Sequence, residues 1–425
     1  MPGSLVGPSA VTVEHGDPGS SMADTRTFAW LLLLLSLVGL GGLLSHRVTR
    51  WVRVPPAAIM LVAAAVAVQV VPSLHQPPER AVERIVTVAL VFILFEGGMG
   101  IGLTRLRSAA GSIAVVGVVG TFVTAAGVAV FCHLVVGLDW YAAALVATAV
   151  APTDPAVVFS VLGQQEVQGR SGTLLEGESG ANDPVGIALM ASLISAGGIS
   201  GGALLHVVGE FALQMGVGLA VGVVGGSLLR IFVERVPLPD SGLQPMRTIA
   251  CVLLLFAVAT LLHGSGFLAV FVAGVLMGEV RTPYRRELEH VHAGLASLGE
   301  VAAFVVLGLT VRLSTLGHAD VWVPGLAVAV VLAVVVRPLL VGPLLAGSGL
   351  ARNERWFVLL AGLKGAVPIL LGLLLLEADV ADPERLYGVV VVVVVLSVAV
   401  QGSLVPTLLR RLRLADPVEG LPPPR

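Results

Sequence analysis

Seven ionisable residues interrupt stretches of sequence that are otherwise apolar: Glu96, Asp154, Glu178, Asp183, Glu300, Arg337 and Lys364. The densest group is Leu175-Glu176-Gly177-Glu178-Ser179-Gly180-Ala181-Asn182-Asp183-Pro184. On a helix, Ser179 and Asp183 are four apart and share a face, while Glu178 and Asn182 share the adjacent one. A hydroxyl and a carboxylate can therefore converge on one ion, and hard monovalent cations take oxygen donors of this kind. A second group, Ala151-Pro152-Thr153-Asp154-Pro155, sets a carboxylate between two prolines. Proline cannot donate to a helix, so the chain breaks there and the Thr153 carbonyl is freed. Asp154 and that carbonyl can complete an ion shell, and Glu96, in Leu94-Phe95-Glu96-Gly97-Gly98, can add another oxygen. Before Glu300 is counted, four acids face two bases, a surplus that suits binding a cation or a proton.

The elements that carry these residues lie in a membrane. Of 425 residues, 56% are hydrophobic and 12% charged, against about 25% charged in a soluble domain. Mean hydropathy is +0.96. Apolar runs of about 20 residues recur from Phe28 onward, each long enough to cross roughly 30 Å of hydrocarbon. In lipid only helices or a closed barrel satisfy the backbone. The runs are continuous rather than alternating, which predicts an all-α membrane protein. Thirteen spans are predicted, at 28–45, 56–72, 85–101, 110–135, 141–162, 173–196, 204–232, 248–263, 266–280, 293–311, 321–346, 356–376 and 386–409. Residues 1–26 read as a disordered lead, with Met22 an alternative start. The run after Arg26 reads as the first helix rather than a cleaved signal, and 414–425 as a short cytoplasmic tail after a membrane domain over 27–413. Cys132 and Cys251 fall inside apolar runs and read as packing residues.

Eighteen arginines fall in one set of loops, from Arg47, Arg50 and Arg53 through Arg105 and Arg107 to Arg410, Arg411, Arg413 and Arg425. Five (Arg26, Arg80, Arg84, Arg312 and Arg385) fall in the other. The positive-inside rule then puts the N-terminus outside and the C-terminus inside. Arg337 and Lys364, the only lysine, remain within apolar runs. The spans divide into a first repeat over 28–196, a linker helix over 204–232 and a second repeat over 248–409. Span 5 is broken around Thr153-Asp154. Span 12 is broken by Gly362, Gly365 and Pro368 around Lys364. Interrupted helices at matching places in two halves of opposite topology predict inverted six-helix repeats, with crossed breaks and a site at the midplane. Asp154 can offset the positive helix ends there and Lys364 the negative ones. The alternative is a pair of ordinary proline kinks.

The paired motifs Ala151-Pro152-Thr153-Asp154-Pro155 and Glu178-Ser179-Gly180-Ala181-Asn182-Asp183-Pro184 resemble those of the NhaP-type sodium/proton exchangers within the cation:proton antiporter superfamily. Phe95-Glu96-Gly97-Gly98 and Gly362-Leu363-Lys364-Gly365-Ala366 resemble its further signatures, so the likeness runs over about 28–410. The resemblance implies a homodimer in the cell membrane, each protomer having a dimerisation domain and a mobile core. It implies that Asp154 and Asp183 bind the ion, helped by Ser179, the Thr153 backbone and Glu96, and that Glu178 pairs with Arg337. Asn182, where electrogenic relatives place a second Asp, implies electroneutral one-for-one exchange. Lys364 departs from the family's more usual Arg, and Pro152 adds a second proline to the break. The expected activity is antiport of a monovalent cation, sodium first and potassium as the alternative, against protons. Cation and proton would compete for Asp154 and Asp183. No enzyme activity and no cofactor are expected, since the ions are cargo. The expected partners are the lipid bilayer and a second copy, with no nucleic acid.

Other readings were weighed. Gly177-Glu178-Ser179-Gly180 matches the G-x-S-G of rhomboid-like intramembrane serine proteases, which need a mid-membrane histidine as base. His133, His206 and His263 lie near span ends instead. A passive cation channel is a second rival, which crossed breaks in inverted repeats disfavour. His290 and His292 read as a solvated helix end rather than a pH sensor. Glu300 divides between helix packing and a role in the core. Gly218, Gly222 and Gly226 predict close helix packing, and the valine run 389–395 predicts a lipid-facing surface.

Overall fold

The computed structural model describes residues 40–41, 55–70, 77–154, 158, 170–236, 238–240 and 242–414. The lead 1–26, Pro155, the tail from 415 and all of span 1 except Leu40 and Gly41 lie outside the described residues. The described residues are mostly helical, with no strand among them. Predicted spans 2 to 13 each coincide with helix. In order these are α1 (Pro56–Val70), α2 (Glu79–Ala114), α3 (Gly120–Phe131), α4 (Trp140–Val150), α5 (Arg170–Ala196), α6 (Gly201–Arg235) and α7 (Leu243–Leu261). There follow α8 (Gly266–Met277), α9 (Arg285–Thr310), α10 (Ala319–Val331), α11 (Arg352–Leu360), α12 (Ala366–Leu374), α13 (Pro383–Leu396) and α14 (Gly402–Arg411). A one-turn helix, Leu313–Leu316, links α9 to α10.

Six stretches among the described residues are long and apolar enough to cross a membrane, and α1, α4 and α8 are shorter apolar helices. One of the six, Glu79–Val136, is 58 residues long. Gly102, at φ 65° and ψ 165°, breaks it into predicted spans 3 and 4. Past the kink the Thr104 N–H donates to Glu279 Oε1 at 2.5 Å, serving a donor at the restarted helix. α5 fails the apolar test because it carries Glu176, Glu178 and Asp183, the residues of interest.

Glycines allow the helix crossings. A methyl on Gly98 or Gly274 would strike the opposing backbone, Phe271 O and Phe95 O respectively, so α2 and α8 meet main chain to main chain. Gly218, Gly222 and Gly226 of α6 lie against Ser265, Ala269 and Ala273 of α8. The predicted small-residue stripe is thus used within one chain. The valine run is not lipid-facing. Val389, Val390, Val391, Val393 and Val394 are buried, and Val392 packs where Gly325 of α10 leaves room. An all-valine segment has no periodicity with which to tell a protein neighbour from lipid.

Wider turns, closed from residue i to i+5, interrupt four helices at Val115–Val119, Cys132–Val136, Leu332–Val341 and Ser397–Gln401. Such turns often mark functional positions, and Arg337, Ser397 and Gln401 all sit in them.

Candidate functional site: a carboxylate-lined cavity at two broken helices

The two predicted breaks meet. α4 starts on Asp139, whose carboxylate accepts from Tyr141 N and Ala142 N. It ends at Val150, and Ala151–Asp154 is neither helix nor strand. Between α11 and α12, residues 361–365 are likewise unwound. The two segments touch through the backbone, Asp154 N donating to Leu363 O at 2.8 Å. A methyl on Gly365 would collide with the Asp154 carboxylate. Asp154 therefore lies at the amino end of α12, where the partial positive charge of a helix favours an anion.

Each helix that ends at the crossing has its own cation. Lys364 Nζ donates to Ala151 O (2.8 Å) and Pro152 O (2.9 Å), at the carboxyl end of α4. Arg337 serves the other end. Its Nε donates to Leu359 O (3.1 Å) and its Nη2 to Val358 O (3.3 Å), the last turn of α11. Gln401 adds a bond to Leu360 O at 2.7 Å. Lys364 was expected to offset both negative ends. It serves one, because the arginine from span 11 reaches the other. Arg337 also pairs with Glu178 at 3.0 Å, both side chains 3% exposed. Gly362 leaves space for the guanidinium.

A cavity of about 470 Å³ opens beside the crossing. Asp154, Asp183, Ser179 and Glu96, four of the predicted ion ligands, all line it, together with Glu176 and Glu300. One wall is α5, presenting Glu176, Ser179, Gly180 and Asp183 at the i, i+3, i+4, i+7 spacing of a single helix face. Facing it, α9 presents Ser297, Glu300, Val301 and Phe304 at the same spacing. Asp154, Ala366 and Val367 contribute from the crossing, and Glu96, Gly97 and Gly100 from α2. Asp183 is buried, 6% exposed, and its Oδ1 accepts no hydrogen bond among the described residues. Pro184 lacks the N–H that the Gly180 carbonyl would take in an unbroken helix. That leaves one more main-chain oxygen between Ser179 and Asp183.

Thr153 and Asn182 are beside the cavity rather than in its lining. Asn182 Nδ2 donates to Thr153 Oγ1 at 2.7 Å, tying α5 to the broken segment. Pro152 packs where Gly186 leaves space on the same helix. Glu176 is held at the solvent-facing end by Arg105 Nη2 at 3.2 Å, with side chains 29% and 47% exposed. Arg105 also donates to Gly100 O and Thr173 Oγ1. Sequence reasoning passed over Glu176 as part of the motif's lead-in, and left Glu300 undecided for want of a partner nearby in sequence. Among the described residues no histidine lines the cavity, so nothing there favours the serine-protease reading. His292 is not solvated: it is fully buried, Nε2 lies 2.7 Å from Thr248 Oγ1, and the ring stacks at a tilt on Phe95.

The fold and the cavity define a multi-pass membrane protein built around two interrupted, crossing helices, with carboxylates gathered where they meet. The chain belongs to the sodium/hydrogen exchanger family, whose transmembrane family model matches residues 31–411. It is 34% identical over 338 residues to the K(+)/H(+) antiporter NhaP of Alkalimonas amylolytica, covering 79% of this chain and 58% of that protein. The K(+)/H(+) antiporter NhaP2 of Shewanella sp. (strain MR-4) is 32% identical over 340 residues, with the same coverage. The Na(+)/H(+) antiporter NhaS2 of Synechocystis sp. is 29% identical over 283 residues, 65% of this chain and 48% of that one. The chain thus spans well under two thirds of the length of these curated relatives. Its fold is similar to that of the sodium proton antiporter MjNhaP1 from Methanocaldococcus jannaschii at pH 8, with a TM-score of 0.74 over 91% of this chain and 100% of that one at 21% identity.

Proposed function

We propose that the protein exchanges a monovalent cation for protons across the cell membrane, with both ligands competing for Asp154 and Asp183. The observation that carries this reading is the cavity in which Asp154, Asp183, Ser179 and Glu96 converge at the crossing of two broken helices. A carboxylate at membrane depth costs about 2.5–3.5 kcal/mol even on the lenient insertion scale, so an unpaired one is kept for function. Asp183 lines this space, and its buried Oδ1 accepts no hydrogen bond among the described residues. A cation or a proton neutralises the pair and lets the site cross the membrane charge-compensated. An empty, charged site stays where it is, and that forbids leak. The Thr153 hydroxyl, held by Asn182, orients the broken segment, and its carbonyl is the proposed backbone ligand. Glu178 and Arg337 are a structural pair, and Lys364 compensates α4.

Asn182, in place of a second carboxylate beside Asp183, supports electroneutral one-for-one exchange. The two halves are read as inverted repeats, 28–196 and 248–409, joined by the helix at 204–232. The N-terminus is outside, the C-terminus inside, and the protein works as a homodimer. The Arg105–Glu176 pair then marks a mouth on the cytoplasmic side. Sodium is the first expected cargo. Potassium is the second, favoured by the two relatives at 32–34% identity, both named as K(+)/H(+) antiporters. Reconstituted protein given a pH jump with sodium, potassium or lithium supplied in turn separates the two. A current under voltage clamp without saturable counter-flow would support a channel instead.

A further inference from the structure

The walls of the cavity carry matching chemistry. On α5 a hydroxyl and a carboxylate, Ser179 and Asp183, are four residues apart on the lining face. On α9 a second hydroxyl and carboxylate, Ser297 and Glu300, are three apart on the face opposite. Both spacings put the two oxygens of each wall on one side of a helix. Glu300 is close enough to Asp154 for each to feel the other's charge, and Asp183 stands in the same relation to Asp154. Three carboxylates, Asp154, Asp183 and Glu300, therefore line one cavity.

We infer that Glu300, assisted by Ser297, is a further ligand for the transported monovalent cation, supplied from the wall opposite Asp183. The inference rests on the exchange reading above and deepens it. An acidic cluster alone would be weak ground, since carboxylates also gather on solvated faces. The second observation is the Asp183 carboxylate, more than nine-tenths buried, lining the same cavity with an oxygen that no described group bonds. A dehydrated cation there needs oxygen on more than one side, and hard cations gather six or more such donors when the shell is complete. The α5 wall gives Ser179, Asp183 and the Gly180 carbonyl, and the crossing gives Asp154. The remaining side of the cavity faces α9 and α2, where Glu300, Ser297 and Glu96 are the oxygen-bearing side chains.

The backbone around Glu300 is fixed rather than adaptable. Gly299 lies against the Ala89 main chain of α2, and Gly308 against the Leu61 main chain of α1. Phe304, one turn beyond Glu300, is buried in the lining. A ligand held this rigidly is suited to recognition, with Asp154 and Asp183 left to do the exchanging. Removing it should weaken cation binding without stopping turnover.

The test is cation-dependent exchange in proteoliposomes, together with stabilisation of the purified protein by sodium and by potassium chloride against choline chloride. For Glu300→Gln the inference predicts an apparent KM raised about tenfold, which is about 1.4 kcal/mol of binding. Maximal rate should change less than about twofold on the same scale, and most of the cation-induced thermal shift should be lost. Glu300→Asp should recover part of both, and Ser297→Ala should show a smaller change in the same direction. Glu300→Gln with wild-type KM and wild-type thermal shift overturns the inference. If that variant fails to assemble, wild-type KM in both Glu300→Asp and Ser297→Ala overturns it. Asp183→Asn run in parallel separates the two levels. Exchange that survives in Asp183→Asn defeats the underlying reading, whereas exchange lost there and unaltered in Glu300→Gln defeats only the role of Glu300.

Discussion

At the scale of single residues, the buried charges divide by what they touch. Arg337 has two tasks, pairing with Glu178 and donating to the last carbonyls of α11. That dual role makes an ordered prediction. Arg337→Ala removes the helix-end bonds and strands a carboxylate that is 3% exposed, at a cost of about 3–5 kcal/mol. Glu178→Ala plus Arg337→Ala removes the same helix-end bonds without stranding a charge, so it should melt higher than Arg337→Ala alone. Glu178→Ala should be mildest, because Arg337 keeps its carbonyls. Equal melting temperatures for the single Arg337 variant and the double variant in thermal unfolding would show that the pair is not coupled. The Glu178–Arg337 pairing was legible from the family resemblance, and the convergence of Asp154, Asp183, Ser179 and Glu96 from residue types and helical spacing. The hold of Arg337 on α11 was not, because nothing in sequence links residue 337 to carbonyls more than twenty positions on. Glu300 was undecided for the same reason: its neighbours in the cavity come from α2, α5 and the broken segment after α4.

At the scale of elements, the site depends on two backbones passing within contact distance. Gly365 has no substitute, since any Cβ meets the Asp154 carboxylate. Gly365→Ala should insert and fold but lose nearly all exchange, and wild-type rates in that variant would mean the crossing is looser than described. Gly98 and Gly97 give a paired contrast for stability. Gly98→Ala meets the Phe271 carbonyl, which cannot yield, whereas Gly97→Ala meets nothing within 4 Å. Thermal unfolding should rank Gly98→Ala well below Gly97→Ala. At the kink, the Thr104 hydroxyl and then its N–H hold the Glu279 carboxyl below its usual range. A lowered value contributes stability above the ordinary glutamate range, and the contribution fades as pH falls through the lowered one. The melting-temperature gap between wild type and Glu279→Gln should therefore be widest near neutrality and close in acid; a gap that is constant with pH would remove Glu279 from the kink. The positions of spans 2 to 13 were largely readable from apolar length. The wide turns holding Arg337 and Ser397 were not, since they change hydrogen-bond register and leave composition unaltered. The buried valine run escaped for a related reason, lipid and protein core being equally apolar.

At the scale of the whole molecule, the cavity is lined by α1, α2, α5, α8, α9, α12 and the broken segment at Asp154. On the exchange reading proposed above, alternating access would move the Asp154–Asp183 wall relative to the Glu96–Glu300 wall. The orientation proposed from the distribution of arginines puts the Arg105–Glu176 mouth on the cytoplasmic side. In a background lacking Cys132 and Cys251, Ser297→Cys should react with a membrane-impermeant thiol reagent in everted vesicles. It should be slower by at least about tenfold in right-side-out ones, and transported cation should protect it. Equal labelling from both faces would reverse or abolish the assigned orientation. On the reading proposed above, two aspartates at a helix crossing hold the cation and the proton in turn. The most direct measurement is pH-jump exchange in everted vesicles with Asp183→Asn and Asp154→Asn at matched expression. The account predicts no cation-driven proton movement above the empty-vesicle level for either variant. Full exchange by Asp183→Asn would contradict it.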